Sequence, residues 1–256
     1  MKLFYQQFGD TGKPLIILHG LFGNSDNWAS IGKQFGREYQ VYLVDQRNHG
    51  RSPHDEEWTY EIMAHDLNEF IDEHQLVKPA ILGHSMGGKT VMKYASLFED
   101  KIDKLIVVDI SPRQYPVHHQ SIIDGLKAVP ISEVASRREA DTILQEHEPI
   151  LGVRQFLLKN MYRKEDGKYC WYMNLDVIDR KIANVGESLE LDTKIQVDTL
   201  FIGGGNSKYI QEKDRTVIDD LFANYTIKMI ENTGHWVHAE KPKEFMGMIH
   251  EFINPK

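Results

Sequence analysis

The stretch Gly83-His84-Ser85-Met86-Gly87-Gly88 restricts what this chain can fold into more than any other. The apolar run Lys78-Pro79-Ala80-Ile81-Leu82 precedes it, and Val91, Met92, Tyr94, Ala95 and Phe98 follow at spacings of three and four. This change of period predicts a strand, a tight turn and a helix in that order. A serine in G-x-S-x-G at such a junction reads as a nucleophile elbow, because small residues at 83 and 87 permit a strained turn that lifts Oγ clear of the sheet. Met86 opens the helix, so its backbone N–H is directed with the helix dipole toward a developing oxyanion. The five-residue pattern also arises by chance, so its context matters. A working elbow needs a strand before it, a helix after it, a later acid and a final histidine, and the sequence offers all four in that order.

The remaining apolar runs predict strands over 3–8, 14–18, 41–44, 104–109, 198–202 and 225–230, with helices over 28–35, 60–74 and 212–222 and a last helix reaching 252. Alternation of strand and helix implies an α/β fold with a mostly parallel central sheet and helices on both faces. The alternation lapses over 111–194. Helical stretches near 121–129, 132–146, 149–162 and 175–187 predict a helical cap, inserted into a core made of 1–110 and 195–256. A length of 256 residues suits one such core with an excursion rather than two independent domains.

Several residues carry the chemistry. His19-Gly20-Leu21-Phe22-Gly23 follows an early central strand, where a glycine-bearing loop can aim a backbone N–H at the elbow. Leu21 is the first choice of donor and Phe22 the second; a plain turn into the next helix is the competing reading. Asp109 ends an apolar strand at the sheet edge where ligands bind in open α/β folds. His235, after Gly234 and between the last strand and last helix, is placed to be a general base. His19, His49, His84 and His238 read as structural histidines, with His84 packing away from the serine. Asp45 and Arg47 read as an ion pair bracing their own loop. Gly203-Gly204-Gly205 reads as a permissive turn, since neither G-x-G-x-x-G nor a Walker lysine accompanies it.

Composition excludes some partners. The net charge is −8, with Lys and Arg scattered, which argues against nucleic acid. No apolar run approaches membrane-spanning length, and a single cysteine, Cys170, leaves no internal disulfide to form. A cytoplasmic protein with no membrane association is expected. No H-E-x-x-H or comparable ligand set suggests a metal, and no cofactor is expected.

His19-Gly20, Asp45-x-Arg47, Gly83-x-Ser85-x-Gly87 and Gly234-His235, in this order, resemble the α/β-hydrolase superfamily over essentially the whole chain. Asp45-Gln46-Arg47-Asn48-His49-Gly50, Gly83-His84-Ser85-Met86-Gly87-Gly88-Lys89 and Val108-Asp109-Ile110-Ser111-Pro112 look like the YbfF-type esterases and their mitochondrial relatives. The common superfamily pattern puts the acid after the penultimate strand, where this chain has Gly204-Gly205-Asn206-Ser207 and no carboxylate. The subgroup resemblance implies that the acid is Asp109, with Ser207 as a supporting neighbour of the histidine. Glu212 and Asp214 are the other contenders, read as charges at a helix start. The resemblance thus implies a Ser85, Asp109, His235 triad, an oxyanion hole of Leu21 and Met86 N–H groups, and Phe22 and Ser207 in support. It implies a serine carboxylesterase hydrolysing small to medium acyl esters or thioesters. A C–C-bond hydrolase or lyase on the same triad, and a non-catalytic ligand-binding protein of this fold, are the rivals.

Overall fold

The computed structural model describes residues 1–191 and 193–255. Its strands are β1 (Tyr5–Phe8), β2 (Pro14–Leu18), β3 (Gln40–Val44), β4 (Ala80–His84), β5 (Lys104–Val108), β6 (Met161–Arg163), β7 (Tyr169–Trp171), β8 (Thr199–Gly204) and β9 (Tyr225–Ile230). Seven of them form one sheet in the order β1-β3-β2-β4-β5-β8-β9. β1 runs antiparallel to β3, and every other pairing in this sheet is parallel. Leu18 pairs with Gly83 and His84 with Val108, so β2, β4 and β5 end level with one another. The loops that follow them therefore share one edge of the sheet.

The helices are α1 (Ala29–Phe35), α2 (Tyr60–Glu73), α3 (Met86–Phe98), α4 (Gln120–Ala128), α5 (Arg137–Leu144), α6 (Leu151–Leu158), α7 (Leu175–Lys181), α8 (Ala183–Gly186), α9 (Arg215–Leu221), α10 (Val237–Glu240) and α11 (Pro242–Ile253). Period-two side-chain alternation divides the interior between the sheet's two faces. Ile16, Ile81 and Leu105 pack with residues of α2 and α3, whereas Leu15, Ile17, Leu82 and Ile106 pack with residues of α1 and α11. Strands covered on both sides need no polar alternation, which is why they read as continuous apolar runs. Thr59 starts α2 by accepting a hydrogen bond from the Ile62 N–H at 3.3 Å.

Three expectations need correction. The helix expected over 149–162 stops at Leu158, because residues 161–171 form the antiparallel ribbon β6–β7, turned through Gly167 at φ 84°. Gly203 and Gly204 belong to β8 rather than to a turn; a Cβ on Gly204 would lie 2.1 Å from the Gly234 carbonyl oxygen. Close backbone approach, not turn geometry, is what requires that glycine. Arg47 does not pair with Asp45. Its guanidinium binds both oxygens of Asp66 on α2, at 2.5 and 2.8 Å, in a buried bidentate pair. Asp45 instead accepts from the backbone N–H groups of Ser25 and Arg51.

The segment between β5 and β8 returns to the core over the elbow helix. Lys89 of α3 is fully buried, and its ammonium donates to the Glu187 carbonyl beside the end of α8. The Tyr115 ring centroid lies 5.1 Å from Nζ, and the Tyr60 hydroxyl donates to the Val185 carbonyl at 2.8 Å. Burial pulls the Lys89 pKa down to about 7.

Candidate active site

Ser85 joins β4 to α3 with φ 54° and ψ −117°, a conformation rare outside glycine. The flanking glycines make the turn sterically feasible: a Cβ on Gly83 would lie 2.1 Å from the Gly87 oxygen, and one on Gly87 would lie 2.6 Å from the His19 oxygen. The Ser85 N–H donates to the Val108 carbonyl at 2.9 Å, tying the turn to β5.

Asp109 follows β5 directly, with φ 48° and a side chain closed to solvent. A carboxylate buried this completely must be matched by donors. Oδ1 accepts the Gly204 N–H at 3.0 Å, while Oδ2 accepts both the Ser207 hydroxyl and His235 Nδ1, the latter at 2.7 Å. An ionised carboxylate only accepts, so Nδ1 carries the imidazole proton and Nε2 is left as the basic nitrogen. Ser207 is thus a neighbour of the acid rather than of the histidine, because the loop after β8 brings its hydroxyl to Asp109. Asp214 is buried against Arg113, Oδ1 to Nε 2.7 Å, and exposed Glu212 pairs with Arg215 at 2.9 Å.

His84, expected to pack away from the serine, lies against the histidine loop: its Nε2 donates to the His235 carbonyl at 2.9 Å, and the two ring centroids lie 4.6 Å apart. Gly20 leaves room for it, since a Cβ there would stand 2.9 Å from His84 Nδ1. Burial, with His235 and His238 alongside, holds His84 well below the usual imidazole range. His238 stacks on Trp28 at 3.9 Å and is pushed down to about 3 by burial; His19 and His49, also buried, are lowered to about 4 and about 3. The Gln46 N–H donates to His19 Nε2, so Nδ1 is the nitrogen that donates to the Gly20 carbonyl.

Ser85 and His235 face one cavity of about 630 Å³, a size ordinary for small-molecule sites. Leu21 and Phe22 border it from the loop after β2, and Phe22 has φ 58°. Ser85 also borders a recess of about 20 Å³, together with Leu21 and Met86. Some contributors carry no sequence signal. The Tyr209 ring lies against His235, tilted by 30° with centroids 4.3 Å apart, and Asn160 donates its amide N–H to the Phe22 carbonyl at 2.6 Å. Among the described residues, no group of three or more His, Cys, Asp or Glu side chains is disposed to hold a metal ion.

A family model described as the alpha/beta hydrolase fold matches residues 13–242. The chain belongs to the α/β-hydrolase family. Esterase YbfF of Escherichia coli (strain K12) is 38% identical to this α/β hydrolase over 248 residues, covering 95% of this chain and 94% of the relative. A protein of Danio rerio named sn-1-specific diacylglycerol lipase ABHD11 is 37% identical over 267 residues, covering 100% of this chain and 83% of its own length. A solved structure titled "Marine microorganism esterase" superposes with TM-score 0.95 at 44% identity, covering 98% of this chain and 99% of that one. Among the described residues, no helix is long and apolar enough to cross a membrane.

Proposed function

We propose that this esterase-type α/β hydrolase cleaves small to medium acyl esters or thioesters through an acyl-enzyme on Ser85, with His235 as general base and Asp109 as the acid. The observation that carries the reading is the 2.7 Å contact between His235 Nδ1 and Asp109 Oδ2, on a histidine that faces the same cavity as an elbow serine. Ser85 Oγ attacks the acyl carbon while His235 Nε2 takes its proton, and Asp109 holds the tautomer and stabilises the imidazolium. The oxyanion is held by the N–H groups of Met86 and Leu21, with Phe22 supporting the loop and Ser207 supporting Asp109. The imidazolium protonates the leaving oxygen or sulfur as its bond to the acyl carbon breaks. Water, deprotonated by His235, then attacks the acyl carbon, and the bond to Ser85 Oγ breaks as the imidazolium returns its proton to Oγ, releasing the acid. Residues 111–194 act as a cap that limits access to the site, and the single cysteine fits a cytoplasmic setting.

The test is rapid mixing with 4-nitrophenyl acetate. The unsubstituted enzyme should release a burst of nitrophenolate stoichiometric with protein, and Ser85→Ala should release none while keeping its melting temperature. Unchanged turnover by a Ser85→Ala preparation free of the original enzyme overturns the assignment. Absence of turnover in the unsubstituted enzyme favours a ligand-binding protein.

A further inference from the structure

Ser85 borders two unequal spaces, and we infer that they sort the two halves of the substrate: the short acyl group enters the small recess, and the leaving alcohol or thiol fills the large cavity. The inference rests on the esterase reading above and names the substrate class of the same site.

The assignment follows from the four substituents on a tetrahedral intermediate. One is Ser85 Oγ and one is the oxyanion. A third, the leaving oxygen, must receive its proton from His235 and so must lie on the side of that imidazole. His235 borders the large cavity and does not border the recess. The acyl chain takes the remaining direction, toward the space bordered by Leu21, Met86, Ile110, Tyr115, Val117 and Val185. At about 20 Å³ that recess has room for about one water or methyl group. An acetyl-sized chain fits it and a hexanoyl chain does not. The large cavity, walled by Ile122, Val153, Phe156, Leu157 and Trp236, accommodates an apolar leaving group of several carbons. Thiols suit it as well as alcohols, because His235 can protonate a leaving sulfur as well as a leaving oxygen.

Hexyl acetate and ethyl hexanoate share one elemental composition and differ in which side of the ester bears the long chain. Acid release in a pH-stat should give kcat/KM at least roughly tenfold higher for hexyl acetate, the scale on which apolar pockets discriminate chain length. Two substitutions, one bordering each space, should both weaken the preference for hexyl acetate. Gly152 borders the large cavity, and a Cβ there meets no atom within 4 Å, so Gly152→Leu adds bulk without a backbone clash and with better helix propensity. It should lower kcat/KM on hexyl acetate by roughly tenfold more than on ethyl acetate. Val185→Ala widens the recess and should raise the ratio of ethyl hexanoate to hexyl acetate turnover. Equal or inverted rates on the two isomers, in an enzyme that still gives the nitrophenolate burst, overturn this inference alone. Neither ester cleaved and no burst overturns the esterase reading and the inference with it.

Discussion

His235 Nδ1 meets Asp109 Oδ2 at 2.7 Å, joining positions 126 residues apart, while the carboxylate that follows the penultimate strand, Asp214, is engaged by Arg113. The buried acid nearest the histidine therefore comes from the strand beside the elbow. Asp109→Asn should lower kcat by a factor on the order of 10²–10⁴, because the amide no longer fixes the imidazole tautomer. Glu212→Gln, at an exposed position paired with Arg215, should change kcat little. Near-full activity in Asp109→Asn, with loss in Glu212→Gln, would restore the conventional position of the acid.

Asp214→Asn separates stability from chemistry. The carboxylate is almost fully buried against Arg113 and also accepts the Gln211 N–H, so its loss should cost about 1–3 kcal/mol. Calorimetry should register a melting temperature lower by several degrees, while kcat stays within about twofold. A large drop in kcat with unaltered melting would contradict this division of labour.

Ser207→Ala removes a donor from the same oxygen that binds His235. One hydrogen bond to a charged acceptor corresponds to roughly a tenfold loss in kcat/KM. The loss should appear mainly in kcat, since Ser207 acts through Asp109 and touches no substrate in the mechanism above. Full activity would mean that the hydroxyl is idle.

Acid should destabilise the fold through its buried histidines. His19, His49 and His238 are lowered by burial to about 4, about 3 and about 3, against an unfolded value near 6.5. Below that value the unfolded chain binds protons that the folded one refuses, so stability complete above about pH 6.5 falls as pH drops toward 3, by up to about 1.4 kcal/mol per pH unit for each histidine. Melting temperatures should hold level from pH 7.5 to about 6.5 and decline from there to pH 5; a flat profile below 6.5 would mean that these rings are protonated in the fold.

Sequence patterning anticipated much of this architecture because the central strands are covered on both faces, so that Ile16 and Ile17 can both be apolar although they point opposite ways. The elbow was legible for a related reason: its glycines, serine and helix start are local requirements carried by consecutive residues. Other features depend on partners distant in the chain. The strands of the β6–β7 ribbon are too short to display a period, and nothing around Arg47 announces Asp66 on another element. Ser207 reads as the histidine's neighbour until the loop after β8 is seen to carry its hydroxyl to Asp109. Asn160 lies far from the loop after β2, and only the folded chain brings its amide to the Phe22 carbonyl.

Lys89 lies three residues beyond Met86 on the same helix, and its ammonium is directed at the Glu187 carbonyl just past α8. The segment between β5 and β8 is consequently not an interchangeable module. A segment grafted there from another hydrolase would have to present a carbonyl at that point, or leave a cation stranded inside the protein with its acceptor gone. Recombination must keep this joint, beside the bonds of Asn160 to the Phe22 carbonyl and of Tyr60 to the Val185 carbonyl, or exchange Lys89 for an apolar residue in the same step.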